Sequence, residues 1–351
     1  TLVPPECGGL GADMETFGRI VRAIARGCPS SAWQFCLGAS HAPMVCRLFD
    51  PSLWPEIFGD GHFICPFPAR PQGEIRQLEG GEWLLTGTYN YCSGVPYATH
   101  LLGQAFPTFR DGSKGAPVVF LAQRPNWTRL DDWGNALGMK GSGSHSVRFD
   151  EARIPDRFVL RIDLLEYEPE PLGQDSSSLR NNPAHYGRYE SFALFELASI
   201  GVGALTGALD EYGDLMRSRT TIFPPITPRI EDSDYRRWYG RTLGRLAMAE
   251  AALSNQSTQW TEASRLHMLG LRPFSVEENM RLTLLAGEVI DIVWEAMQTV
   301  WSTMGSTPAL DGARMQRVFR DLAMLRNHGI GTAFDNMARR LADHTLGPNA
   351  Q

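Results

Sequence analysis

The apolar positions of this chain change their period three times. In residues 12–50 they repeat at helical spacing. Asp13 reads as an N-cap, Phe17, Ile20, Val21 and Ile24 form a stripe, and Gly27 closes the segment. A second apolar helix is expected over 31–49, ending before Pro51. From Phe63 to Leu164 the period shortens. Gly, Pro, Thr and aromatic residues rise, and strands are expected over 82–91, 117–123 and 146–149. Turn residues such as Gly80-Gly81 and Asp111-Gly112 separate them. Several short strands in so few residues suggest a small barrel or sandwich. A polar, Pro-rich stretch over 168–183 reads as a linker.

Long helical patterns then return. Residues 192–216 are apolar on most faces, and 235–268 are Ala-rich and amphipathic. Ser275-Val-Glu-Glu278 is a capping box before a helix running to about Met304, with Gly305 past its end. A helix over 312–327 carries Met315, Val318, Phe319, Leu322 and Leu325 on one side and ends at His328 and Gly329. A last one covers 331–343. Such helices with short loops pack as an antiparallel bundle. The expected division is an incomplete N-terminal helical domain (1–62), a β-domain (63–167), a linker (168–183) and a C-terminal bundle (184–351).

The chain of 351 residues is 43% hydrophobic and 21% charged, enough for two or three domains with a sizeable core. Its net charge of −6 argues against nucleic acid or an anionic membrane as partner. No run of about 18 apolar residues is visible, so no spanning helix is expected. No leader is visible either, although Thr1 leaves open a lost targeting segment. The six cysteines, at 7, 28, 36, 46, 65 and 92, form no Cys-x-x-Cys pair or His/Cys cluster. They read as free thiols in a reducing cytoplasm, with no metal.

Several motifs carry a family resemblance. Val3-Pro-Pro-Glu-Cys-Gly-Gly-Leu-Gly11, Leu137-Gly-Met-Lys-Gly-Ser-Gly-Ser144 and Val147-Arg-Phe-Asp-Glu-Ala-Arg-Ile-Pro155 resemble segments of the acyl-CoA dehydrogenases. So does the order helices, β-barrel, four-helix bundle, with the first helices of that family expected to be missing here. In the dehydrogenases the helix carrying an Arg-Asp pair approaches a catalytic glutamate. Here Arg320-Asp321 leads to His328, with no carboxylate in that stretch. Within the superfamily the chain is similar to the two-component flavin monooxygenases, the branch of 4-hydroxyphenylacetate 3-hydroxylase (oxygenase component) and dibenzothiophene monooxygenase. The residues are Gly80–Gly87 with Tyr89-Asn-Tyr-Cys-Ser93-Gly94, Leu37-Gly-Ala-Ser-His41, and Arg320-Asp321 with His328.

The resemblance implies a site. Ser93 would meet the N5 edge of a flavin, with Tyr91, Cys92, Gly94, Ser142 and Ser144 around the cofactor. Arg217 or Arg219 would reach the flavin phosphate across a subunit interface. Trp133 would wall the substrate pocket or fill the β-domain core. His41 and His328 would flank the substrate, one of them orienting or deprotonating its heteroatom. Read without the resemblance, Ser93-Gly94 is a turn, His41 a core histidine and His328 a helix-end cation. The implied activity is insertion of one oxygen atom from O2 through a flavin C4a-hydroperoxide. A separate NAD(P)H:flavin reductase would supply reduced FMN or FAD to a cytoplasmic homotetramer. The Cys92-Ser93-Gly94 match tilts the substrate towards sulfur or aromatic compounds. The rivals are an acyl-CoA dehydrogenase or oxidase using Glu211 or Glu250, and a non-catalytic flavin-binding protein.

Overall fold

Asp13 begins the first helix, where its place ahead of the apolar stripe requires it. The computed structural model describes residues 1–59, 61–164, 167–173, 178–328 and 330–347, side chains at 330–333 excepted. In it α1 spans Met14–Gly27, and the Asp13 carboxylate accepts from the Thr16 amide at 2.7 Å, satisfying a donor that a helix start leaves open. The single helix expected over 31–49 is two: α2, Pro29–Ala39, and α3, Ala42–Leu48. The cause is Pro43. It has no N–H to donate one turn back, so it is tolerated only in a first turn. Ser40 and His41 therefore stand at a break. A short α4, Trp54–Phe58, follows.

The β region is one seven-stranded sheet, in which four further strands join the three expected. Its members are β1 (Glu74–Gln77), β2 (Glu82–Tyr89), β3 (His100–Thr108), β4 (Val118–Gln123), β5 (Thr128–Arg129), β6 (Val147–Pro155) and β7 (Val159–Leu160). Their order is β5-β6-β2-β1-β3-β4-β7, with β1 and β3 parallel and the other pairs antiparallel. β1 and β3 escape a search for alternation: β1 is four residues long, and β3 is buried along most of both faces. The sheet curls on itself. Three strands separate β6 from β4, yet Phe149 and Phe120 sit 5.7 Å apart, with Tyr89 edge-on to both at 5.4 and 5.5 Å. A twisted sheet whose distant strands meet encloses its own core, as a barrel does.

Five helices complete the chain: α5 (Tyr189–Ser218), α6 (Ser233–Met268), α7 (Val276–Thr303), α8 (Arg314–Asn327) and α9 (Ile330–Leu346). Gly329, expected as the breaker after His328, lies outside the described residues. The capping box forms both its bonds, Glu278 N to Ser275 Oγ at 3.1 Å and Ser275 N to Glu278 Oε2 at 3.0 Å. α5 is the central member, packed against α1, α2, α6, α7 and α8. Gly203 lets it approach α1 closely, since a Cβ there would stand 2.3 Å from Arg22 O. One sequence expectation needs correcting here: α5 is long and apolar enough to cross a membrane by length and composition. Its apolar window is 83% buried inside the bundle, and that burial accounts for the composition. None of the six cysteines is in a disulfide, and five are buried.

Phe149→Ala removes the ring that β4 and β6 share. The expected loss is about 3–5 kcal/mol of unfolding free energy, the range for deleting a buried aromatic side chain. Urea titration measures it, and a loss below about 1 kcal/mol would show that the curl does not depend on this ring.

Candidate active site

Ser93 follows β2 and a sharp turn. Tyr91 adopts φ 60° and Gly94 φ 81°, and the Ser93 amide folds back to Tyr91 O at 3.0 Å. This throws the Ser93 hydroxyl inward to begin a buried row: Ser93 Oγ is 2.8 Å from Ser144 Oγ, which is 2.7 Å from Ser142 Oγ. Trp33 of α2 donates its indole N–H to Ser93 Oγ at 3.0 Å. The amides of Cys92 and Gly94 are taken by His145 O and Ser142 O, so they are not free for a ligand. Those of Gly143 and Ser144 donate to no neighbour among the described residues. Cys92 itself turns away. Its buried thiol donates to Tyr89 O, and burial pushes its pKa up to about 12. Tyr91 is 75% exposed and edge-on to the half-buried Trp133, whose N–H donates to Met139 O at 3.1 Å. Trp133 thus joins Tyr91 to the 137–144 loop and takes no part in the barrel core.

Asp321 holds this arrangement in place. Its carboxylate accepts from the Met139 amide at 2.6 Å and from Ser30 Oγ at 3.0 Å. Arg320 Nη1 donates to Leu137 O at 3.0 Å, and the contact is so close that a Cβ at Gly138 would stand 2.2 Å from Arg320 O. The Arg-Asp pair therefore fastens α8 to the 137–144 loop and to α2. Two turns on, His328 caps α8 and meets Trp33 edge-on at 5.1 Å. One side of the residue is open to solvent, and desolvation of the packed side lowers its pKa from the ordinary 6.5.

His41 lies elsewhere. Its Nδ1 is 2.7 Å from Cys65 O, and a carbonyl only accepts, so Nδ1 carries the proton. Nε2 then accepts from Tyr189 O–H at 3.2 Å. Both nitrogens are engaged, and burial lowers the pKa to about 4, leaving a neutral ring. Eight residues, roughly 12 Å of helix rise, separate His41 from Trp33. With both His41 nitrogens engaged, Tyr189 is the polar side chain beside it that lines a cavity. Tyr189 and Phe67, both packed on His41, line a cavity of about 420 Å³.

Between these clusters stands a carboxyl that the sequence reading passed over. Glu196 is fully buried on α5. Its Oε2 accepts from the Cys36 thiol at 3.3 Å, and the Ser40 hydroxyl stands near enough to oppose the effect of burial. With no cation beside it, burial raises its pKa to about 8 and keeps it protonated near neutrality. It is the only charged residue between Glu190 and Asp210, which was the available signal. The two acids that were weighed prove unsuited to strip a proton in the core. Glu211 is paired with Arg314 at 2.7 Å, and Glu250 is exposed. Trp33 and Tyr189 were also missed, Trp33 despite its helical register with Cys36 and Ser40. Arg217 and Arg219 are exposed at the far end of α5, with Arg217 bound to Asp214. The helix is about 45 Å long at 1.5 Å per residue, and within one chain no described contact joins them to Ser93.

Glu196→Gln isolates the buried acid. A raised folded pKa means the native state keeps a proton that the unfolded chain releases, so this group loses stability as pH climbs from 4.5 towards 8. Urea unfolding across that window should show wild type weakening relative to the glutamine variant. Parallel curves would mean that the carboxyl is already ionised in the fold.

Comparison with known proteins agrees with this geometry. The family described as acyl-CoA dehydrogenase, C-terminal domain, matches residues 196–332. A pigment production hydroxylase of a Rhodococcus species is 28% identical over 98% of this chain and 86% of its own length. The p-hydroxyphenylacetate 3-hydroxylase oxygenase component of Acinetobacter baumannii is 23% identical, over 98% and 79%. Among solved structures, XiaF from a Streptomyces species, in complex with FADH2 and glycerol, superposes with a TM-score of 0.87. It is 19% identical and covers 99% of this chain and 84% of its own. Dibenzothiophene monooxygenase TdsC from Paenibacillus sp. A11-2 gives 0.78 at 20% identity, over 98% and 86%. At these identities the structures show the shared fold, and the relatives that match along the whole chain show similarity. The chain is thus similar to the acyl-CoA dehydrogenases over residues 196–332 and, along nearly its whole length, to hydroxylases that include the oxygenase component of a p-hydroxyphenylacetate 3-hydroxylase.

Proposed function

We propose that the chain is the oxygenase component of a two-component flavin-dependent monooxygenase, acting on a small aromatic or heteroatom-containing substrate. One observation carries the reading: a single indole, Trp33, joins the buried hydroxyl row at Ser93 to the imidazole of His328. The residues fit a flavin. Three buried hydroxyls and the undonated amides of Gly143 and Ser144 suit the nitrogen- and oxygen-rich edge of such a ring. Bound reduced flavin would supply the activation of dioxygen and the delivery of one oxygen atom.

The protein's own part follows from its residues. Ser93, oriented by Trp33 and Ser144, holds a hydroxyl proton at the ring edge. His328 is neutral at pH 7 and accepts the proton of a substrate hydroxyl or amine. Tyr189, held by His41, offers an oxygen to the adjoining cavity. Surrounding apolar packing keeps water out. Relatives named as oxygenase components, and XiaF and TdsC solved with FADH2 and FMN, support a reduced flavin supplied by a separate NAD(P)H:flavin reductase. A homotetramer in the cytoplasm belongs to the same proposal. Exposed Ile222, Phe223 and Ile226, beside Arg219, suit a subunit contact that would bring the arginine to a neighbour's cofactor.

Two measurements test the reading. Protein with reduced flavin, mixed rapidly with oxygenated buffer, should give a transient absorbing species that outlives free flavin reoxidation; reoxidation at the protein-free rate overturns the proposal. His328→Ala should lower product formation by about 10²–10⁴-fold while oxygen consumption continues. Equal loss of both would remove His328 from substrate chemistry.

A further inference from the structure

The cavity beside Tyr189 carries four charged side chains on its wall, Arg47, Asp163, Arg188 and Glu190. Three are engaged. Arg188 donates from Nε to Phe274 O at 2.7 Å and pairs with Glu168. Glu190 accepts from Asn279 at 2.9 Å, and Asp163 has an interaction of its own. Arg47 differs. Its Nη1 donates to Gly187 O at 3.0 Å and its guanidinium lies over Tyr167 at 5.4 Å. Yet it forms no ion pair with any carboxylate among the described residues, and its Nε has no hydrogen-bond partner. Desolvation draws its pKa from 12.5 down to about 10.

The charge of Glu190 reaches Arg47 only from beyond ion-pair distance, and that of Arg188 opposes it; a bound carboxylate would relieve the remaining cost of desolvation best, because its two oxygens match the guanidinium fork. The flank of the same cavity is apolar, with Met44, Leu48 and Phe67. Its volume, about 420 Å³, is in the range of small-molecule sites.

We propose that Arg47 recognises a carboxylate on the substrate, so that the enzyme takes an organic acid whose apolar body lies against Met44, Leu48 and Phe67. Only the word substrate rests on the monooxygenase reading; the anion site stands by itself. Phe67 and Tyr189 form the wall that touches His41, so an acid anchored at Arg47 points its apolar end into the chain.

Calorimetric titration of the full chain with benzoate and 3-phenylpropanoate, and with their primary amides, tests the site without flavin or reductase. At least one acid should bind about tenfold more tightly than its amide. Arg47→Met should abolish the difference and Arg47→Lys should keep part of it, with the circular dichroism of both variants unchanged. Equal binding of acid and amide to wild type, or no binding of either acid, overturns the proposal. So does a preference that survives Arg47→Met. Should Arg47→Met fail to fold, the wild-type acid-to-amide ratio and its retention in Arg47→Lys decide. Acid preference with no oxygen transfer would sink the monooxygenase reading and leave the Arg47 site established.

Discussion

One carboxylate decides whether the candidate site exists. Asp321 accepts from the Met139 amide and from Ser30 Oγ, and so ties α8, the 137–144 loop and α2 together. Those elements bring, in turn, His328, the Ser142 and Ser144 hydroxyls, and Trp33. Each accepted bond is to a buried anionic group and is therefore stronger than a neutral one. Burial raises the Asp321 pKa, and the two donors offset only part of that rise. The Arg-Asp pair that marks the approach to a base in the dehydrogenases here serves as a fastener.

Many side chains around this fastener are buried, and burial sets their chemistry. His41 and Glu196 respond alike, one losing its proton and the other keeping it, so that both stand uncharged near neutrality. A neutral imidazole hydrogen-bonded to a tyrosine and a neutral carboxyl beside a thiol add polar groups without adding field. Charged side chains stand instead at the cavity wall, in Arg47, Asp163, Arg188 and Glu190.

The bundle was legible because helix signals are local. Asp13, the Ser275–Glu278 box and the apolar stripe of α8 each act within a few residues of themselves. The sheet was half legible. β2, β4 and part of β6 alternate or end in turns, whereas β1 is too short and β3 too buried to show a period. Of the site, Ser93, Ser142 and Ser144 stand together as expected from the motifs. The surroundings of His41 were not legible, because its partner Tyr189 lies 148 positions away. Arg47 gave no signal, since nothing in a sequence tells an unpaired arginine from the paired ones. Glu196 could have been found: one acid in a long apolar stretch is conspicuous.

The bonds that build the site span most of the chain. Ser30 and Asp321 are 291 positions apart, Met139 and Asp321 182, Trp33 and Ser93 60. Closures of that length come late in folding. During synthesis, which proceeds from the N-terminus, the barrel can form well before α8 emerges, but the hydroxyl row cannot be clamped until it does. A half-made chain thus lacks the clamp on the row of Ser93, Ser144 and Ser142. The site is therefore the last part of the molecule to be completed, because α8 must emerge before Asp321 can join Ser30 to Met139.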